Sequence, residues 1–157
     1  VTGVQTCALP ISLGSDHGGL SLKKEIIKHL ESKNIQIADF GTYTEESCDY
    51  PDYALKVAQE IVAKNFELGI LICGTGIGIS IAANKVPGIR AALCSDTFSA
   101  HATREHNNAN ILAIGGRVVG TGLALDIVDA FINAKFQGER HQKRIDKITE
   151  IEKKYSK

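Results

Sequence analysis

The chain contains no methionine and has no excess of either charge: 18 lysines and arginines stand against 18 aspartates and glutamates. A neutral balance excludes a whole-protein field that would gather nucleic acid or an anionic membrane, so any anionic ligand has to be held by a local cluster. Long apolar runs are missing too; none approaches the roughly 20 residues that a membrane-spanning helix needs. The four cysteines form no C-x-x-C pair and fall at no metal-ligand spacing with the five histidines. That argues against a disulfide framework and a metal site, and for a reduced, cytoplasmic chain. Repeats, low-complexity tracts and a linker long enough to divide domains are also absent. With 157 residues, 43% apolar and 23% charged, one globular domain with a single sizeable core is expected. The opening VTGVQTCALP lacks the basic flank and small-residue cleavage site of a signal peptide. Residues 1–9 are read as a non-native leader, Cys7 is given no role, and residues 10–157 are read as the domain.

What is present is an alternation of short apolar runs with helix-spaced segments. Ile11 to Gly19 reads as a short strand, capped at its start by Pro10, that ends in a polar, glycine-rich turn, and Leu20, Leu22, Ile26, Ile27 and Leu30 recur at helical spacing, with Lys23, Lys24, Lys28 and Glu31 on the opposite face. A second strand is expected over 35–41, a polar loop over 42–49, and a helix that Pro51 opens in its first turn. Its apolar side carries Tyr53, Leu55, Val57, Ala58, Ile61 and Val62. A strand over 89–94, a short helix over 96–105, a strand over 111–116, and helices over 121–134 and 141–154 complete the order. Strands alternating with helices predict parallel β-α-β units: an α/β fold with an open sheet covered on both faces. In such sheets ligands bind outside the carboxyl ends of the strands. Asp16-His17, Cys73 to Gly78, Ser95-Asp96 and Gly115-Gly116-Arg117 all follow strands, so they are expected on one rim.

The segment 67–85, ELGILICGTGIGISIAANK, carries the densest signal. Leu68 to Ile72 is an unbroken apolar run, as in a strand buried on both faces, and it ends in Cys73 and Gly74-Thr75-Gly76-Ile77-Gly78. Glycines between strand and helix allow a tight turn with outward N–H groups, and the helix start adds partial positive charge, which together make an anion cradle. A ligand-free turn remains an alternative for the glycines. So does a dinucleotide site, with Asp96 roughly 20 residues on as the ribose acid. Against the latter, GTGIG is not G-x-G-x-x-G and the loop follows the third strand. A thiol at a helix start is disposed to ionise, which makes Cys73 a candidate base or nucleophile; a buried core thiol is the plainer reading. Cys48 and Cys94 lack that setting. His17 and His106, at element ends beside Asp16 and Asn107, are open between structural and functional roles. His29 is read as solvated, and His101 is left open. Arg140 and Arg144, four apart in a basic cluster opening the last helix, suit a shared phosphate. Aromatic side chains for base stacking are absent near that cluster.

GSDHGG (14–19), ILICGTGIGISIAANKVPGIRAALC (70–94), REHNNANILAIGGRVVG (104–120) and GERHQKRID (138–146) together resemble the type B ribose-5-phosphate isomerases and their relatives, the galactose-6-phosphate isomerase subunits. The likeness runs in order from about Ile11 to Lys154. It implies a three-layer α/β/α, Rossmann-like fold with a parallel five-stranded sheet and a C-terminal helix that reaches a partner subunit. It implies a sugar-phosphate substrate, no cofactor and no metal, and a homodimer or homotetramer with shared sites. Cys73 is similar to the family's catalytic base, and His106 to the acid that opens the sugar ring. Gly74, Thr75, Gly76, Ile77, Gly78 and Asn107 resemble the cradle for the enediolate oxygens, with Thr75 contributing its hydroxyl. Asp16 resembles a holder of sugar hydroxyls, and His17, Arg117, Arg140 and Arg144 resemble the phosphate clamp. One branch of the family uses a glutamate further along the loop, where this chain has Ile79. Six-carbon sugar phosphates, or a non-catalytic nucleotide or sugar-phosphate module, are the alternative expectations.

Overall fold

The computed structural model describes residues 10–156; the leader reading of residues 1–9, Cys7 included, lies outside the described residues. Five strands, β1 (Ile11–Ser15), β2 (Ile37–Asp39), β3 (Gly69–Cys73), β4 (Ala91–Leu93) and β5 (Ile111–Gly115), form one parallel sheet in the order β2-β1-β3-β5-β4. The helices are α1 (Leu20–Ser32), α2 (Tyr50–Val62), α3 (Ile77–Ala83), α4 (Thr97–Asn107), α5 (Thr121–Asn133) and α6 (Arg140–Tyr155). β3 sits at the centre, paired on both sides, as its continuous apolar run anticipates.

Alternation along β3 divides the core into two layers. Ile70 and Ile72 pack with Leu22, Ile26, Leu30, Ile127, Val128 and Phe131 of α1 and α5. Leu71 and Cys73 pack on the other face with Ala54, Val57, Ala58 and Ile61 of α2 and Ile79 and Ala83 of α3. The Cys73 side chain is therefore aimed into the α2–α3 layer, directly beneath the turn that starts α3. Among the described residues no helix is long and apolar enough to cross a membrane.

Several local expectations change. β2 and β4 are three residues each rather than six or seven; both are edge strands with one pairing partner. Leu55 and Val62 are exposed, so the buried stripe of α2 is narrower than its apolar pattern. Lys23, expected on the solvent face of α1, is fully buried. His29 is not merely solvated: its Nε2 lies 2.8 Å from Asp129 Oδ1 on α5, where Lys33 adds a contact to Oδ2 at 3.2 Å. Phe131 is the largest apolar side chain with no exposure in the α1–α5 layer. Phe131→Ala is expected to destabilise the fold by about 3–5 kcal/mol through the cavity it leaves, measurable as a lowered urea midpoint at unchanged slope.

Candidate active site

Strand order reverses between β1 and β3, so a crevice opens at their carboxyl ends. Backbone hydrogen bonds continue the sheet into that rim. Asp16 N donates to Ile72 O at 3.3 Å, Gly116 N to Cys73 O at 2.8 Å and Arg117 N to Gly74 O at 2.9 Å. Three sequence-distant turns are thereby fastened side by side. Asp16 is buried, and its Oδ1 accepts the N–H of Gly19 at 3.1 Å, which closes the turn after β1.

At the head of α3 the N–H of Gly76 donates to Cys73 Sγ at 3.1 Å. Gly76 holds φ at +79°, and a Cβ there would stand 2.6 Å from Leu93 Cδ1 and 2.8 Å from the carbonyl carbon of Ile114. Only glycine meets both constraints. The exposed Thr75 accepts the N–H of Ile77 on its Oγ1 at 3.2 Å, so two of the loop's N–H groups are engaged within the loop itself. The Arg117 guanidinium lies across the loop: a Cβ on Gly74 would be 3.0 Å from its Nη1, and one on Gly18 would be 3.4 Å from its Nη2 and from Asp16 Oδ1. A thiol, an exposed hydroxyl, an arginine and a buried carboxylate thus share one rim of the sheet.

Two neighbours were missed by sequence reading. The hydroxyl end of the Tyr50 ring lies against Gly78, whose Cβ would fall 2.5 Å from ring carbon Cζ and 2.8 Å from the hydroxyl oxygen. The N–H of Cys48 donates to His17 Nδ1 at 3.2 Å. Cys48 stands in the polar loop before α2 and Tyr50 opens that helix, a stretch whose sequence reads only as a connection. Its position after the carboxyl end of β2 was the available signal.

The remaining candidates lie elsewhere. Asp96 caps α4, accepting from Ser99 N at 2.6 Å and Ser99 Oγ at 2.9 Å, and those bonds hold its carboxyl below the ordinary range. That leaves it a structural task in place of ribose binding. Burial, reinforced by the charge of Asp96, pushes the Cys94 thiol up to about 11, as befits an inert core thiol. His101 Nδ1 pairs with Glu105 Oε1 one turn along α4 at 3.1 Å. α4 runs back from the carboxyl end of β4 toward the amino end of β5, so its last turn, with His106 and Asn107, lies at the opposite rim. Arg90, just before β4, donates from Nε to Asn107 O at 2.9 Å, and Gly69 N at the start of β3 donates to Asn110 O at 2.9 Å. A five-residue strand spans about 16 Å, which separates His106 from Cys73 within one chain. Instead the His106 ring stacks on His141 of α6, centroids 4.3 Å apart and 15° between planes. Arg140 and Arg144 are exposed on that first stretch of α6. One chain therefore carries two groups: Asp16, His17, Cys73–Gly78 and Arg117 on one rim; His106, Asn107, Arg140 and Arg144 on the other.

A parallel α/β sheet with a thiol-bearing glycine turn at its switch point is the frame of a small-molecule enzyme. The family model described as Ribose/Galactose Isomerase matches residues 11–148, and the chain belongs to that family. It is 51% identical over 144 residues to ribose-5-phosphate isomerase B of Escherichia coli (strain K12), covering 92% of this chain and 97% of that one. The Clostridium thermocellum ribose-5-phosphate isomerase B structure superposes with a TM-score of 0.93 at 59% identity, covering 94% of this chain and 100% of that chain. The Mycoplasma genitalium ribose-5-phosphate isomerase B structure, which has ribulose-5-phosphate bound, gives 0.89 at 45% identity, covering 94% and 99%.

Burial, with the positive charges of Arg140, His106 and Arg144 around it, holds His141 below the ordinary 6.5. Below that value the unfolded chain binds more protons than the folded one, so stability is complete above about pH 6.5 and is lost as the pH falls toward the lowered folded value. Denaturation midpoints measured from about pH 7 to about pH 5 are expected to fall less steeply in His141→Gln than in the wild type.

Proposed function

We propose that this chain is an aldose–ketose isomerase that interconverts ribose 5-phosphate and ribulose 5-phosphate through an enediolate. The observation that carries the reading is the Cys73 sulfur at the switch point of the sheet, held by the Gly76 N–H at a helix start, with the Arg117 guanidinium beside the adjoining Gly74. An N–H donor aimed at sulfur stabilises negative charge there, which suits a thiolate base. The Cys73 thiolate takes the proton from carbon 2 of the open-chain aldehyde. The C–H electron pair becomes the double bond between carbons 1 and 2, and the carbonyl electrons move onto oxygen 1. Return of the proton to carbon 1, with oxygen 2 becoming the carbonyl and oxygen 1 taking up its proton, gives the ketose. The Gly74–Gly78 turn, the Thr75 hydroxyl and Asn107 hold the charged oxygens, where fixed donors lower the barrier most effectively. Asp16 binds sugar hydroxyls; His17, Arg117, Arg140 and Arg144 bind phosphate; His106 protonates the ring oxygen as the furanose opens.

His106, Asn107, Arg140 and Arg144 cannot reach the Cys73 of their own chain, so the reading requires a second copy to supply them, with α6 extending toward it. Exposed apolar side chains support such a partner: Ile77 and Ile81 on α3, Leu93 on β4 and Phe98 at the start of α4 stand on adjoining elements. Isomerisation of allose or galactose 6-phosphate is the second reading, favoured by the breadth of the family description.

Cys73→Ala is expected to lower kcat on ribose 5-phosphate by about 10²–10⁴-fold and to suppress deuterium uptake from D₂O at carbon 2. Near-normal turnover in that variant would remove Cys73 from the role of base. A higher kcat/KM on a six-carbon phosphate than on ribose 5-phosphate would move the assignment to the second reading.

A further inference from the structure

Lys23 is an anomaly in α1. Its neighbours Lys24 and Lys28 are exposed, while Lys23 itself is fully buried. A buried ammonium has to be paired and hydrogen-bonded. Its Nζ donates to Asp39 Oδ1 at 2.5 Å and to Thr42 O at 2.7 Å. Burial lowers the lysine pKa, and the hydrogen bond that Lys23 donates to Asp39 opposes that shift. Asp39 keeps part of its surface in solvent, so the desolvation cost falls mainly on the lysine, and an ion pair of this kind is weak evidence of a purely stabilising task. The pair therefore calls for a role other than stability, and its partners show one.

Asp39 Oδ1 also accepts the N–H of Gly41 at 2.9 Å, and Asp39 O accepts the Tyr43 hydroxyl at 2.7 Å. The segment so anchored lies along the end of β1. Ser15 N donates to Gly41 O and Thr42 N to Ser15 O, both at 2.7 Å, one residue before Asp16. Further along the same segment the Cys48 N–H reaches His17 Nδ1 at 3.2 Å. A backbone N–H only donates, so Nδ1 is the acceptor and the proton of the neutral ring is on Nε2.

We propose that Lys23 is a positioning residue: with Asp39 it locks segment 41–48 against β1, so that the Cys48 N–H holds His17 as the Nε2–H tautomer with that donor free for the substrate phosphate. This rests on the assignment of His17 to phosphate made above. Lys23 touches no substrate. It acts through Asp39, the backbone of 41–42 and the amide of Cys48.

Imidazole ¹⁵N NMR of the full chain near neutral pH tests the tautomer without any substrate. The wild type is expected to show His17 protonated at Nε2, with Nδ1 as acceptor. In Lys23→Met both tautomers are expected. KM for ribose 5-phosphate should rise roughly ten-fold, with kcat within about two-fold, because a uniform binding contact is lost. Asp39→Asn keeps an acceptor for the Gly41 N–H but weakens the Lys23 pair; it should shift both readouts in the same direction, and it carries the test if Lys23→Met does not fold. A wild-type His17 protonated at Nδ1 overturns the proposal. So does a folded variant that melts lower yet keeps its KM and a single tautomer. If the wild type fails to turn over ribose 5-phosphate, the functional reading fails on its own. The His17 tautomer and the affinity for inorganic phosphate then still decide the part played by Lys23: weaker phosphate binding with mixed tautomers in Lys23→Met supports it, and no change overturns it.

Discussion

Parallel β-α-β winding imposes one constraint on everything else in this chain. Each strand ends on one rim of the sheet, and the helix that follows carries the chain back to the other. A residue just after a strand and a residue at the close of the next helix therefore sit about one strand length, roughly 16 Å, apart. Asp16, His17, the Cys73 turn and Arg117 are all of the first kind. His106 and Asn107 are of the second, and the start of α6 joins them through the His106–His141 stack. The division into two half-sites follows from topology before any side chain is considered. Under the proposed function it is also the reason that a single copy is incomplete.

Within the first half-site, the turn after β3 does more than present N–H groups to a ligand. Its Gly76 amide is committed to the Cys73 sulfur and its Ile77 amide to the Thr75 hydroxyl. The loop thus spends part of its donor capacity on organising its own thiol and hydroxyl. In the proposed mechanism that arrangement suits a transient enediolate, with the permanent charge of the phosphate left to arginines and His17. The Arg117 guanidinium packs closely on Gly74, where a Cβ would stand 3.0 Å from its Nη1.

Much of the fold was legible in the sequence. The strand and helix order, the central place of β3 and the gathering of post-strand turns on one rim all follow from apolar runs and glycine positions. Edge strands were overestimated, because Ile35 and Ile89 look like strand residues although the paired register begins at Ile37 and Ala91. Lys23 was misplaced for a different reason: helical periodicity assigns a charged residue to solvent and cannot see a carboxylate brought up by β2. Cys48 was set aside as a thiol without a helix start, and Tyr50 was overlooked because a polar connection has no period to read. The resemblance supplied His106, Arg140 and Arg144 as companions of Cys73 in sites shared between subunits; the structure has them on the opposite rim of the same chain.

Under the proposed function, Cys73 of one copy works with His106 of another. Cys73→Ala and His106→Asn, each inactive or nearly so alone, can be co-expressed and assayed on ribose 5-phosphate. Statistical mixing leaves half the pairs with one intact site, so activity should return to about a quarter of wild type. A mixture that stays as inactive as its parents, with subunit exchange verified by mass, would contradict the shared site.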